Sequence, residues 1–148
     1  MIGLGSDHGG FELKNYVKDW LVKKGYEVMD FGSHNEESVD YPDIAKEVCN
    51  AVVSGEVECG MLFCGTGIGM SIAANKINGI RAACVSDTFS AKMTKQHNNA
   101  NVICLGGRTL GSELAKEIIE AYLKEDFEGG RHEKRVNKIA ELENQNRR

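Results

Sequence analysis

Gly60-Met61-Leu62-Phe63-Cys64-Gly65-Thr66-Gly67-Ile68-Gly69-Met70 sets a short, wholly apolar run against a loop with three glycines in five residues. A run this short, apolar on both of its alternating faces, is the mark of a strand covered on two sides, as in parallel sheets. The glycines turn the chain, and a segment of helical period follows them. The unit is strand, tight turn, helix.

The same unit recurs in both directions. Apolar runs at 2–6, 27–31, 60–64, 80–85 and 102–105 predict five strands, and helical period predicts crossovers over 11–24, 43–54, 68–76, 88–97 and 112–123. Leu13, Val17, Trp20 and Leu21 share one face of the first helix, and Gly25 stops it. A final helix, about 131–143, has no strand after it. The expectation is an α/β fold: a three-layer αβα arrangement around a five-stranded, parallel, doubly wound, Rossmann-like sheet with an extra C-terminal helix. Residues 1–148 form a single domain, with 131–148 a helix and tail.

Composition narrows the function. The 148 residues, 41% hydrophobic, suit one core, and a formal charge of −4 gives no general attraction to nucleic acid or an anionic membrane. The charge is uneven, since 131–148 holds six basic and three acidic side chains, leaving −7 for 1–130. No apolar stretch approaches the ~20 residues of a membrane span, and the first residues resemble a buried strand rather than a leader. A cytoplasmic protein is expected. Cys49, Cys59, Cys64, Cys84 and Cys104 are odd in number and never spaced C-x-x-C, so reduced thiols are expected rather than disulfides or a zinc site.

In doubly wound sheets ligands bind beyond the carboxyl ends of the strands, where the winding reverses. Two loops there draw attention: Ser6-Asp7-His8-Gly9-Gly10, and Gly65 to Gly69. The second could be only a tight turn, but its N–H groups can also face an anion. It lacks the last glycine of a dinucleotide fingerprint, and the first loop lacks the Lys-Ser/Thr pair of a nucleotide P-loop.

Cys64 ends its strand at the glycine loop, where a thiol near N–H groups can serve as nucleophile or base. A Cys-x5-Arg phosphatase would need arginine where Met70 stands, which favours proton transfer. The other four cysteines read as inert core residues. His8 and His97 sit in suggestive contexts, whereas His34 reads as a surface residue. Asp7 fits a helix-start cap or an acceptor for a sugar hydroxyl. Arg131 and Arg135, four apart after Gly129-Gly130, suit a phosphate dianion or a plain solvated face. Arg108 is a third arginine, expected at the same sheet edge as these two.

Ser6-Asp7-His8-Gly9-Gly10, Asp40-Tyr41-Pro42, Cys64 to Gly69, Ser71-Ile72-Ala73-Ala74-Asn75-Lys76, His97-Asn98 and Gly129-Gly130-Arg131-His132 occur in this order. With them the chain resembles the type B ribose-5-phosphate isomerases and their galactose-6-phosphate isomerase relatives over almost its whole length. The resemblance implies an aldose–ketose isomerase, free of metal and cofactor, working through a cis-enediolate. Cys64 would be the carbon base. Thr66 and the N–H groups of Gly65, Gly67 and Gly69 would hold the enediolate oxygens, and His97 would assist ring opening. Asp7, Tyr41 and Asn98 would contact sugar oxygens, while His8, Arg108, Arg131 and Arg135 would bind phosphate. It further implies a site at a subunit interface of a homodimer or dimer of dimers, with the last helix packing across subunits. The substrate would be ribose 5-phosphate and ribulose 5-phosphate. Alternatives are allose or galactose 6-phosphate, or a sensor that binds a sugar phosphate without turning it over.

Overall fold

Five strands, β1 (Ile2–Ser6), β2 (Val28–Asp30), β3 (Cys59–Cys64), β4 (Ala82–Cys84) and β5 (Val102–Gly106), form one parallel sheet in the order β2-β1-β3-β5-β4. Six helices cover it: α1 (Phe11–Lys23), α2 (Tyr41–Ser54), α3 (Ile68–Ala74), α4 (Thr88–Asn98), α5 (Ser112–Leu123) and α6 (Arg131–Gln145). The computed structural model describes residues 1–146, and Arg147 and Arg148, the end of the basic tail, lie outside the described residues. Among those described, no helix is long and apolar enough to cross a membrane. The expected three-layer architecture with its extra helix is present.

The period of two along the strands divides the core in two. Met61 and Phe63 of β3 join Leu4, Val17, Leu21, Ile103, Ile118 and Tyr122 on one face of the sheet. Leu62 and Cys64 join Val48, Cys49, Met70, Val102 and Cys104 on the other. Glycines bring α2 down onto that second face, since a Cβ at Gly5 would lie 2.7 Å from Ile44 Cγ2 and one at Gly60 2.8 Å from Val48 Cγ1. Tyr122, fully buried, satisfies its hydroxyl by donating to the Ala100 carbonyl at 2.6 Å.

β2 and β4 are shorter than the apolar runs suggest because each is an edge strand, paired on one side only. α2 starts at Tyr41, two residues earlier than its helical period indicates, because Pro42 is well placed in a first turn that needs no N–H.

Adjacent register brings the carboxyl ends of β1, β3 and β5 side by side, with Ser6 opposite Phe63 and Cys64 opposite Gly106. The loops beyond them are tied by backbone bonds: Asp7 N–H donates to Phe63 O at 3.1 Å, Gly107 N–H to Cys64 O at 2.8 Å, and Arg108 N–H to Gly65 O at 2.9 Å. Gly10 is indispensable here, because a Cβ on it would fall 2.3 Å from the Phe63 carbonyl carbon. Backbone cannot retreat as a flexible side chain can. Gly10→Ala should therefore destabilise the fold by about 2–3 kcal/mol, as overpacking does, and lower Tm by roughly 5–10 °C in thermal unfolding. An unchanged Tm would show that β1 and β3 can separate at no cost.

Candidate active site

At the carboxyl edge, Cys64 is the last residue of β3 and is 5% exposed. The Gly67 N–H donates to its Sγ at 3.1 Å. Gly67 can turn that N–H inward because it adopts φ +81°, a left-handed conformation open to glycine. A second reason for glycine is space: a Cβ there would lie 3.1 Å from Cys84 Sγ. Thr66 is exposed, and its Oγ1 accepts from Ile68 N–H at 3.2 Å, so the threonine sits on the solvent side of the loop.

Asp7 caps the turn through one carboxylate oxygen. Its Oδ1 accepts from Gly9 N–H at 2.9 Å and from Gly10 N–H at 3.2 Å, fixing a short 3-10 turn, His8–Gly10. His8 is exposed at the start of that turn. The Arg108 guanidinium lies over both glycine loops, with Nη1 3.3 Å from a Cβ position on Gly65 and Cζ 3.4 Å from one on Gly9. The Tyr41 ring covers Gly69, Cζ standing 2.9 Å from a Cβ position there. One base candidate, one glycine loop, one cation and one phenol thus share a wall.

A buried ion pair ties α1 to the end of β2 and the loop after it. Lys14, fully covered, donates to Asp30 Oδ1 at 2.9 Å and to the Ser33 carbonyl, and Lys18 reaches Asp30 Oδ2 at 3.1 Å. Burial pushes the Asp30 carboxyl up, but the Gly32 N–H and the two ammonium groups together hold it below the usual carboxylate range.

The remaining candidates lie elsewhere. α4 starts beyond β4 and runs back along the sheet, so His97 and Asn98, in its last turn, reach the amino edge. Arg131 and Arg135 start α6 at that same edge, where the His132 ring stacks on His97 with centroids 4.1 Å apart and planes 7° apart. Arg108 therefore does not share an edge with Arg131 and Arg135, contrary to the sequence expectation. The crossover helix α5 lies between them in the chain. Within one chain the candidates are divided: Asp7, His8, Tyr41, Cys64, Gly65, Thr66, Gly67, Gly69 and Arg108 at one end, and His97, Asn98, Arg131 and Arg135 at the other.

Two residues at the amino edge escaped the sequence reading. Glu128 Oε1 lies 3.3 Å from His97 Nε2, and His132 supplies the stacked ring. Burial pushes the His132 imidazole below its usual value, and its neighbours His97, Arg131 and Arg135 push the same way against Glu128.

The profile of the ribose/galactose isomerase family matches residues 2–139. The chain belongs to that family. It is 49% identical to the ribose-5-phosphate isomerase B of Escherichia coli, over 96% of this chain and 95% of that one. It is also 48% identical to the D-erythrulose-4-phosphate isomerase of Pectobacterium atrosepticum, over 97% and 95%. The solved ribose-5-phosphate isomerase B of Clostridium thermocellum superposes with a TM-score of 0.96 at 53% identity, covering 97% of both chains. The protein is an isomerase with the fold of these relatives.

Of the other four thiols, three are sealed in the core. Burial pushes Cys49 up to about 12 and Cys59 up to about 11, and drives Cys104 well above the ordinary thiol range. Those three are inert core, as expected. Cys84 is not: it is exposed at the end of the short edge strand β4, with Sγ 3.7 Å from Thr66 O. Its apolar neighbours in sequence belong to an edge strand, paired on one side only.

Proposed function

We propose that this isomerase interconverts ribose 5-phosphate and ribulose 5-phosphate by proton transfer through Cys64. The observation that carries this is the Cys64 sulfur, held by the Gly67 N–H at the head of a glycine loop that Arg108 overhangs. As thiolate, Cys64 takes the C2 proton of the open-chain aldose. The electron pair left behind forms the C1–C2 double bond and puts negative charge on O1. Returning the proton to C1 while the O2 hydroxyl proton passes to O1 gives the ketose, with no oxidant or reductant consumed. Loop N–H groups and Thr66 stabilise the enediolate oxygens, an arrangement in which preorganised donors do most of the work. His97 opens the sugar ring, taking the proton of the O1 hydroxyl and delivering it to O4 as the C1–O4 bond breaks.

A second copy of the chain supplies what one chain lacks. The amino-edge group of His97, Asn98, Arg131 and Arg135 from one protomer meets the carboxyl-edge group of the other in a homodimer, with α6 packing across subunits. His8, Arg108 and the α6 arginines grip the phosphate; Asp7, Tyr41 and Asn98 contact sugar hydroxyls. Five free thiols fit the reducing cytoplasm.

Chain length of the substrate is the discriminating question, because one carbon is worth only ~1–3 kcal/mol of selectivity. An assay without added metal should give kcat/KM for ribose 5-phosphate about 10-fold or more above four-carbon and six-carbon aldose phosphates, the range a single methylene allows. Preference for another length would replace the substrate. Binding of all three with no ketose formed would overturn the ribose 5-phosphate assignment.

A further inference from the structure

Building on the ring-opening role proposed for His97, we infer that Glu128 and His132 form a clamp that sets the orientation and tautomer of the His97 imidazole. Three observations place the clamp. Glu128 Oε1 stands 3.3 Å from His97 Nε2. The Glu128 backbone N–H donates to Gln96 O at 3.0 Å, so the carboxylate is tethered to the helix that carries His97. The His132 ring, 9% exposed, covers one face of His97 at 4.1 Å and 7°. The turn that makes this possible is built from Gly129 and Gly130, both at positive φ, 68° and 56°. Side chains other than glycine rarely take two such conformations in succession.

The chemistry follows from imidazole itself. A carboxylate beside Nε2 favours the tautomer with its hydrogen there, leaving the Nδ1 lone pair to take and return the proton moved in ring opening. Stacking removes the ring's freedom to rotate away. Two histidines and a carboxylate, with ligand atoms within 4.8 Å, also invite a metal reading. Parallel rings argue against it, because imidazole binds metal in its own plane and stacked planes cannot meet at one ion without rotating. The same geometry suits a clamp. Glu128 and His132 are positioning residues: they act on substrate only through His97.

Ring opening and carbon proton transfer can be measured separately. Ribulose 5-phosphate cannot close a five-membered ring, because its C5 oxygen carries the phosphate. Exchange of its C1 hydrogen with deuterated solvent therefore reports Cys64 chemistry alone, whereas turnover of ribose 5-phosphate needs the ring opened first. Glu128→Gln should lower kcat on ribose 5-phosphate by about 10-fold or more, within the range of positioned acid–base groups, and leave the exchange rate within about twofold. His132→Ala should behave alike, and Glu128→Asp should recover part of the loss. Equal losses in both measurements, or no loss in the forward rate, would overturn the clamp. If the unaltered protein exchanges no hydrogen of ribulose 5-phosphate, the proposed function itself fails, and the clamp with it.

Discussion

Cys64→Ala is expected to lower kcat on ribose 5-phosphate by about 10³-fold, in the range that a positioned acid–base group contributes. The affinity for ribulose 5-phosphate, measured by calorimetry, should change by less than about fourfold, which is under ~1 kcal/mol. This split follows from position. The sulfur is at the head of the loop, taking one N–H, while the arginines assigned to phosphate sit on other elements and make no bond to it. Cys64→Ser sharpens the test because the hydroxyl keeps nearly the same volume and can still accept the Gly67 N–H. A serine hydroxyl ionises far less readily than a thiol, so turnover should stay lost although the loop is intact. A variant that kept a tenth of the activity would remove Cys64 from the proton path and leave the loop as an anion site only.

Much of this site could be read from residue order, for identifiable reasons. β1, β3 and β5 are central strands with every residue buried, so each gives an unbroken apolar run and its end is marked by glycine. The edge strands β2 and β4 lack that signal, and their ends were accordingly misplaced by one to two residues. The Cys64 loop was legible because three glycines in five residues need a reason. A site shared between subunits was implied only by the family resemblance, and which residues fall at which end of the sheet was not read, although the physics is simple: His97 lies nine residues after the start of α4, and at ~1.5 Å each that carries it roughly 14 Å back from the carboxyl edge. The partnership of Glu128 and His132 with His97 was hidden for another reason. It depends on the dihedral angles of Gly129 and Gly130, which return the chain over a residue more than thirty positions earlier. Sequence marks the turn but not what it turns toward.

That division yields the other large expected effect. If each site takes Cys64 from one protomer and His97 from its partner, Cys64→Ala and His97→Ala homodimers are both inactive for different reasons. Mixing them under conditions that let subunits exchange should restore activity. Random pairing makes about half of the dimers mixed, and by the two-fold symmetry of such an assembly each mixed dimer has one site with both groups and one with neither. The plateau is therefore about a quarter of the rate of the unaltered protein, reached on the timescale of exchange. A single-chain site predicts no recovery at all, since no pairing would then place an intact Cys64 and an intact His97 on the same substrate. The contrast does not depend on how much either residue contributes. It depends only on the carboxyl edge of one chain meeting the amino edge of another, which is what the placement of α4 and α6 at one end of the sheet, and of the Cys64 and Asp7 loops at the other, requires of any site that uses both.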